Sequence, residues 1–325
     1  MCYSAMEDED LRWLSRHSKR EEVRFNAINE LLRRASSPNE KKIKIKFTKA
    51  LEVFFEKSTD PAHAETAALF AQIRANRRTE LEEGLFKQRT RLTKAERALA
   101  VKETKKALEE KRIATDKVEW HMKQLANLDR KVVRESDRRI YPFWYTLVLA
   151  NVDGKRAVMP MRYHCRQNGK PARIDEDYGG LYNARRDSLE GYWKNIWGKR
   201  HAIMVASAFY ENVALADFEH RDLKPGEEPQ NLVLEFKPQA AEPMLLACLW
   251  DCWQKSGEPD LYSFAVITDE PPPEVAATGH DRCPIPIKPE NVDAWLTPEG
   301  RTKEELQAIL DDRVRHYYEH QRLAA

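Results

Sequence analysis

The second half of the chain alternates short apolar runs with turn residues, the pattern of β-strands in a sheet. The segment WYTLVLANVDGKRAVMPMRY at 144–163 contains two such runs, and Asp153-Gly154 between them favours a two-residue hairpin turn. Further strands are predicted in HAIMVASAFYE at 201–211, NLVLEF at 231–236, MLLACLW at 244–250 and LYSFAVIT at 261–268. The tail at 289–325 returns to a helical pattern.

The first part of the chain has the spacing of helices instead. Residues 7–35 are predicted to be helical, and SSPN at 36–39 interrupts them. A further short helix is predicted from the apolar residues Phe47, Leu51, Phe54 and Phe55. The last three follow Phe47 by four, seven and eight positions, which places all four on one face of a helix.

A long helical stretch follows. Thr59-Asp60-Pro61 has the composition of a helix start, and residues 80–135 contain one glycine and no proline. Three leucines lie seven residues apart, at Leu85, Leu92 and Leu99. Lys102 and Lys106 then break this apolar seam, so we expect packed helix and not a sustained coiled coil.

These patterns predict an α+β protein with a mixed, mostly antiparallel and partly barrel-like sheet and a long helical insertion. We assign residues 1–19 and 136–325 to the sheet domain, which Cys2 would complete, and residues 20–135 to a helical, basic insertion or cap. Charge follows the same division: residues 1–140 hold 33 basic and 24 acidic residues, a net +9 within a chain total of +2. Such helices could meet nucleic acid or be a solvated surface.

Composition excludes several classes of protein. No run approaches the ~18 consecutive apolar residues of a membrane span, and no secretory signal is visible. Five irregularly spaced cysteines do not predict a disulfide framework, so we expect a cytoplasmic protein. Zinc would accept Cys248, Cys252, His280 and Cys283, but the first two lie in the apolar run LLACLWDCW, where buried thiols are ordinary. We therefore expect no metal and no cofactor.

The second residue has a chemistry that other cysteines lack. If Met1 is removed, Cys2 carries a thiol and a free α-amine on adjacent carbons, two nucleophiles within reach of one electrophile. Three polar stretches elsewhere could supply partners. These are Asn183-Ala184-Arg185-Arg186 in a loop, Tyr210-Glu211 at the end of an apolar strand, and His280-Asp281-Arg282 before a proline-bounded segment. Taken singly, each is also typical of an ordinary turn, strand exit or structural histidine.

Together the four motifs resemble those of the SOS response-associated peptidase (SRAP) family. They occur in that family's order, as Cys2, Asn183-Ala184-Arg185, Phe209-Tyr210-Glu211 and His280-Asp281-Arg282-Cys283-Pro284. The resemblance covers about residues 1–14 and 140–296. It departs from the family at Cys2-Tyr3-Ser4, where an arginine is common at the third of these positions, and at MRYHCRQ, 161–167, where a Trp-Gly stretch is usual. Both departures bear on DNA preference more than on the reacting atoms.

The resemblance implies a sensor of abasic sites in single-stranded DNA that forms a covalent thiazolidine crosslink through Cys2. In that role Glu211 is the general acid/base, His280 helps to open the sugar, and Asn183 orients the amine or the sugar. The arginines Arg185, Arg186 and Arg282 are the implied DNA-binding residues. We further expect a monomer, without membrane contact, that joins the nucleoid when DNA is damaged.

Two other hypotheses remain open at the level of sequence. The same thiol, Glu211 and His280 could serve an N-terminal-nucleophile cysteine peptidase, including one that acts only on its own leader. Alternatively, the helical insertion could be the working part of a non-enzymatic nucleic-acid-binding or protein-binding scaffold. The peptidase would turn over peptides without DNA, and the scaffold would function without Cys2.

Overall fold

The computed structural model describes residues 2–7, 25–37, 45–240, 242–258 and 260–323. The strands are β1 (Cys2–Glu7), β2 (Arg139–Ile140), β3 (Tyr145–Val152), β4 (Lys155–Tyr163), β5 (Asn183–Arg185), β6 (His201–Ala214), β7 (Asn231–Pro238), β8 (Met244–Trp253), β9 (Leu261–Asp269), β10 (Cys283–Pro284) and β11 (Tyr318–Arg322). The α-helices are α1 (Phe25–Ser36), α2 (Lys49–Lys57), α3 (Ala64–Val101), α4 (Lys105–Asp129), α5 (Ile174–Asp177), α6 (Leu215–Phe218), α7 (Pro273–Ala276), α8 (Val292–Leu296) and α9 (Lys303–Asp311).

The chain forms two compact units. The sheet unit comprises Met1–Ile28, Ile45–Leu51 and Glu135–Ala325, and the helical unit comprises Asn29–Lys44 and Glu52–Arg134. The assignment of residues 1–19 with 136–325 to one domain and of 20–135 to another stays a prediction.

Five strands of the sheet unit close into a ring. Antiparallel pairs join β3 to β4, β3 to β6, β6 to β8 and β8 to β9, and a short parallel pair joins β4 to β9. The remaining strands add to the outside of this ring, with β5 and β10 on β9. The predicted mixed, mostly antiparallel and partly barrel-like sheet is therefore confirmed.

Strand β6 belongs to two parts of the sheet at once. Its first residues, from His201 to Ala206, pair with β8, and two of them also pair with β3. Its later residues, from Ala206 to Ala214, pair with β1 on one edge and β7 on the other. A strand of 14 residues can do this because almost every position is buried and several are alanine, which allows close packing on both faces.

The predicted hairpin between β3 and β4 is present with its expected turn. Val152 pairs with Lys155, so Asp153 and Gly154 form a two-residue loop. Both have positive φ, 55° and 74°, as the twist of a tight hairpin requires. Large apolar side chains from the paired strands then fill a contiguous core that includes Met159, Met161, Tyr163, Phe209, Phe236 and Phe264.

The helical unit is organised around two long helices. The Asp60 side chain accepts a hydrogen bond from the Ala62 amide at the helix start, as predicted for Thr59-Asp60-Pro61. Glu56 pairs with Arg74 at 2.8 Å and with Lys131, and hydrogen bonds from these two cations lower its pKa to about 2. Phe55 and Phe70 stack with their centroids 5.8 Å apart. These contacts join segments that are distant in the chain.

Three predictions about helix require correction. The stretch 80–135 is not continuous, because α3 ends at Val101 and α4 starts at Lys105, where the Thr104 side chain accepts a hydrogen bond from the Ala107 amide. In the helical tail, Tyr318–Arg322 is strand β11, since its backbone pairs with the edge of β7. Of the helix predicted at 7–35, Glu7 belongs to β1 and residues 25–35 are helical, while 8–24 lie outside the described residues.

Within the described ranges, no helix has the length and apolar character to span a membrane.

A buried histidine at the start of β6 makes the sheet unit sensitive to acid. The Gly198 amide donates to Nε2 of His201 at 3.0 Å, and Nδ1 lies 3.1 Å from the Trp295 carbonyl oxygen. Nε2 must therefore be an acceptor, which only the neutral ring provides. Burial accordingly lowers the pKa of His201 to about 3.

We expect His201 to reduce the free energy of unfolding by about 2 kcal/mol between pH 7 and pH 5. The sign follows because the unfolded chain binds a proton below pH 6.5 that the folded chain excludes down to about pH 3. His201→Gln should remove this pH-dependent loss, whatever its effect at pH 7. Urea unfolding at pH 5, 6 and 7 measures it, with His220→Asn, at an exposed histidine, as the control. An unchanged pH slope in His201→Gln would contradict the prediction.

Candidate active site

The register of β1 against β6 brings Cys2 and Glu211 together. Ser4 pairs with Tyr210, so a regular ladder would place Cys2 opposite Asn212. An irregularity between Cys2 and Ser4 shifts the register by one residue, and Cys2 lies opposite Glu211 instead. The Cys2 backbone is described, whereas its side chain lies outside the described part of the structure. The two residues that the motifs single out are therefore direct neighbours across the sheet.

Glu211 and His280 form the centre of the site. Glu211 has no exposed surface and His280 is 6% exposed. The Nε2 atom of His280 lies 3.1 Å from Oε2 of Glu211. Burial raises the pKa of the Glu211 carboxyl, and the neighbouring His280 opposes that rise. Burial and the contact with His280 thus act on the pKa of this carboxyl in opposite directions, and a proton can pass between the carboxyl and the imidazole, as general acid/base chemistry requires.

A glycine places His280 beside Glu211. The chain leaves α7 through Thr278, whose hydroxyl donates to the Val275 carbonyl, and turns at Gly279 with φ +84°. A Cβ at Gly279 would lie 2.8 Å from Cβ and 2.9 Å from the carbonyl carbon of Asp217 in α6. The turn therefore needs both the left-handed conformation and the lack of a side chain that glycine provides.

The backbone of Arg282 orients the His280 ring. Nδ1 of His280 lies 2.9 Å from the Arg282 carbonyl oxygen and 3.2 Å from the Arg282 amide nitrogen. When Nδ1–H donates to that carbonyl in the neutral ring, Nε2 is an acceptor facing Glu211; when Nδ1 instead accepts from the Arg282 amide, Nε2–H donates to Glu211. In either tautomer a proton can pass between Nε2 and the carboxyl without rotation of either side chain.

Strand β9 brings the Asn183 motif next to the His280 motif. Thr268 of β9 pairs with Arg185 of β5 and with Pro284 of β10. The Nη2 atom of Arg185 lies 2.7 Å from Oδ2 of Asp187, and the Nη2 atom of Arg282 lies 3.7 Å from the same oxygen.

One carboxylate thus serves two of the predicted DNA-binding arginines, and Arg282 also lies 3.7 Å from Asp281, so two carboxylates balance the two guanidiniums. The side chain of Arg185 is 48% exposed, that of Arg282 is mostly covered, and Asn183 is buried in β5.

The third predicted arginine has different surroundings. The guanidinium of Arg186 lies 3.0 Å from Asp269 and 2.7 Å from Asp311, and its Nε donates to Gln307 at 2.8 Å. Arg313 also pairs with Asp269. Arg186 therefore ties the loop after β5 to α9, and contact with DNA would require it to leave these partners.

The other cysteines have the properties of core residues. Burial raises the pKa of the thiols of Cys165, Cys248 and Cys283, and raises that of the half-buried Cys252 to about 11. Protonated, buried thiols are poor nucleophiles. Among the described residues, no group of three or more His, Cys, Asp or Glu side chains is arranged to hold a metal ion.

Sequence reasoning missed two contributors to this site. Asp187 lies two residues after Arg185, a spacing that suits a local ion pair, but its second contact with Arg282 depends on the fold. Gly279 directly precedes His280, and a glycine after a proline-started helix is a signal for a left-handed turn.

Comparison with protein families adds an independent finding. The model of the family described as SOS response associated peptidase (SRAP) matches residues 89–323, more than half of the chain. The chain belongs to the SRAP family. The match begins within α3, so it includes part of the helical unit as well as the strands from β2 onwards. Membership associates the protein with the SOS response to DNA damage.

Several solved structures are similar to this chain. A protein from Bordetella bronchiseptica has 16% identity and a TM-score of 0.44, covering 58% of this chain and 88% of that one. A protein from Bacteroides thetaiotaomicron has 14% identity and a TM-score of 0.45, covering 57% and 78%. A phage-related protein from Bordetella bronchiseptica has 20% identity and a TM-score of 0.44, covering 61% and 86%. No curated protein matches the chain.

Two glycines of similar φ, +84° at Gly279 and +80° at Gly300, provide a test of the turn before His280. Gly279→Ala and Gly300→Ala both place a side chain at φ of at least +80°, which costs about 1–2 kcal/mol. Gly279→Ala should cost about 1–3 kcal/mol more, because only its Cβ overlaps Asp217; nothing lies within 4 Å of a Cβ at Gly300. Thermal unfolding of both variants measures the difference, and equal losses would contradict this account of the turn.

A second test concerns the buried carboxyl. Because burial raises the folded-state pKa of Glu211, the unfolded chain loses this proton first, and stability falls as pH rises above about 4.5. Glu211→Gln removes this loss, so its melting temperature relative to wild type should rise by about 2 °C or more between pH 5 and pH 8. Scanning calorimetry across that range measures the effect. A relative melting temperature that falls with pH would show that the folded protein prefers the charged carboxylate.

Proposed function

We propose that this SRAP protein recognises abasic sites in single-stranded DNA and joins them covalently through Cys2 after removal of Met1. The observation that carries the proposal is the pairing of Cys2 with Glu211, whose carboxyl lies 3.1 Å from His280. An N-terminal cysteine beside a buried acid/base pair suits a reaction in which an amine and a thiol add in turn to one carbonyl carbon.

The proposed reaction has two bond-forming steps. The α-amine of Cys2 adds to the aldehyde carbon of the opened abasic sugar, and loss of one water gives an imine. The thiol sulfur then bonds to the same carbon while its proton moves to the nitrogen, which closes a five-membered thiazolidine ring. Amine and thiol belong to one residue, so the second step is intramolecular and has a high effective concentration.

Glu211 and His280 would move the protons in these steps. Burial raises the pKa of the Glu211 carboxyl, which favours its protonated form and suits it to deliver a proton to the departing hydroxyl. His280 would assist ring opening by exchanging a proton with the sugar hydroxyls. In reverse, the same pair would protonate the crosslink and release it.

The surrounding polar residues would bind the nucleic acid. Asn183 would orient the amine or the sugar by hydrogen bonds, and Arg185 and Arg282 would contact the flanking phosphates. Asp187, which pairs with both guanidiniums, would fix their spacing. Arg186 would contribute mainly by holding this loop to α9. We expect a monomer that acts in the cytoplasm and reaches the nucleoid when DNA is damaged.

The family description gives one reason to keep a second candidate. It names a peptidase, and a thiol beside Glu211 and His280 has the parts of a nucleophilic cysteine hydrolase. Such an activity would cleave peptides without DNA, and its narrowest substrate would be the bond ahead of Cys2.

Variants at position 2 separate the two nucleophiles. Wild type, incubated with an oligonucleotide that carries one abasic site, should give a band that survives denaturation, and its intact mass should lack Met1. Cys2→Ala should give no such band. Cys2→Ser and Cys2→Ala both keep the α-amine and lose the thiol, so each should give a band only when borohydride traps the imine. Cys252→Ala, at a half-buried thiol on β8, is the matched control and should crosslink like wild type.

Three outcomes would contradict the proposal: no band from wild type that has lost Met1, a stable band from Cys2→Ala without borohydride, or loss of the band in Cys252→Ala. Cleavage of peptide substrates by wild type in the absence of DNA would instead favour the peptidase.

A further inference from the structure

We propose that Arg139 is a positioning residue that holds β1, and with it the amine and thiol of Cys2, in register with Glu211. The inference rests on the proposed function for its catalytic consequence. Its structural basis lies in contacts outside the Glu211–His280 pair.

Strand β1 needs a side-chain contact that fixes its register against β6. Its pairing with β2 covers Ala5 and Met6, and its pairing with β6 is irregular on both sides of this stretch, between Met6 and Glu7 and between Ser4 and Cys2. A slip by one residue would remove Cys2 from its place opposite Glu211. Ser4 is the last regularly paired residue before the irregularity, so its position decides which residue of β6 Cys2 meets.

Arg139 holds Ser4 directly. Its Nε donates to the hydroxyl oxygen of Ser4 at 2.7 Å, and Ser4 is fully buried. The same guanidinium lies over the ring of Tyr210, with Cζ 3.8 Å from the ring centroid, and 4.9 Å from the centroid of Tyr141. One planar cation thus joins the N-terminal strand to the residue adjacent to Glu211.

Tyr210 is itself held in place. Its hydroxyl donates to Oε1 of Glu235 on β7 at 2.5 Å, and Glu235 also accepts from Gln321 of β11 and lies 3.3 Å from Lys237. Glu235 is buried, so hydrogen bonds from these donors replace the ones that its carboxylate would make with water. The ring that Arg139 covers is therefore anchored through two further strands of the sheet.

The chemistry of the contact requires arginine. A guanidinium is planar, so it can stack on a ring while its Nε–H donates within the same plane. Lysine carries the same charge but cannot stack on Tyr210 and donate to Ser4 with this geometry. Arg139→Lys therefore preserves the charge that DNA would sense and removes the hold on β1.

Crosslinking kinetics test the proposal. For Arg139→Lys we expect the crosslinking rate at saturating abasic DNA to fall at least tenfold, while the DNA concentration for half-maximal rate changes less than twofold. Amide hydrogen exchange of the peptide that contains residues 2–7 should accelerate at least tenfold. Ser4→Ala, which removes only the acceptor, should change both quantities in the same direction by less. Arg156→Lys, at a β4 arginine paired with Asp293, is the matched control and should change neither.

The outcomes separate this inference from the proposed function. An unchanged saturating rate, a change confined to the half-maximal DNA concentration, or unchanged exchange of residues 2–7 in Arg139→Lys would each overturn the positioning role. If Arg139→Lys does not fold, Ser4→Ala decides by the same two measurements. If wild type forms no crosslink, the proposed function fails, and faster exchange in the variants still decides whether Arg139 holds β1.

Discussion

The placement of a carboxyl group with no exposed surface at Glu211 is the constraint on which the rest of the site depends. Transfer of such a group from water is unfavourable unless it is protonated or given a partner. Here His280 lies 3.1 Å away, and its other ring nitrogen faces the backbone of Arg282. The fold therefore keeps a carboxyl whose proton is exchangeable. A solvent-exposed carboxyl at the same point would be ionised near neutral pH and could not serve as an acid.

Strand β6 makes this burial compatible with access to the chain terminus. Its first half is part of the closed ring, where a continuous apolar core excludes water. Its second half leaves the ring and carries β1 on one edge, so Glu211 lies at the level where the N-terminal strand ends. The ring holds the first half of β6, the second half carries Glu211, β1 brings Cys2, and the turn after α7 brings His280. A short strand confined to the ring could not join the two parts.

Local patterns predicted much of this structure, because β3, β4 and the strands from β6 to β9 are apolar runs bounded by turn residues, and Asp153-Gly154 has the backbone freedom of its turn. The expectation of a loop at Asn183–Arg185 was wrong, since this segment forms β5 through backbone pairing with β9. Strand β11 was not predictable in that way. Four of its five residues are exposed, and it exists through backbone pairing with β7. The break at 102–104 depends on one cap, Thr104, in a sequence that otherwise favours helix.

The same distinction applies to the site. Short motifs indicated Glu211 and His280. The contact of Arg139 with Ser4 joins residues 135 positions apart, so no local sequence pattern predicts it. The shared use of Asp187 by Arg185 and Arg282 likewise depends on two strands that pair with β9.

The order of pairing has a consequence for synthesis of the protein. β1 precedes its partner β6 by about 200 residues, and at roughly 5–20 residues per second the ribosome needs about 10–40 s to make that interval. Until β6 is made, Cys2 has no strand partner, although Ala5 and Met6 can already pair with β2. Under the proposed function, an enzyme that removes Met1 would therefore meet Cys2 unpaired, before Glu211 has been made. The proposed maturation and the proposed reaction are separated in time by the order of the strands along the chain.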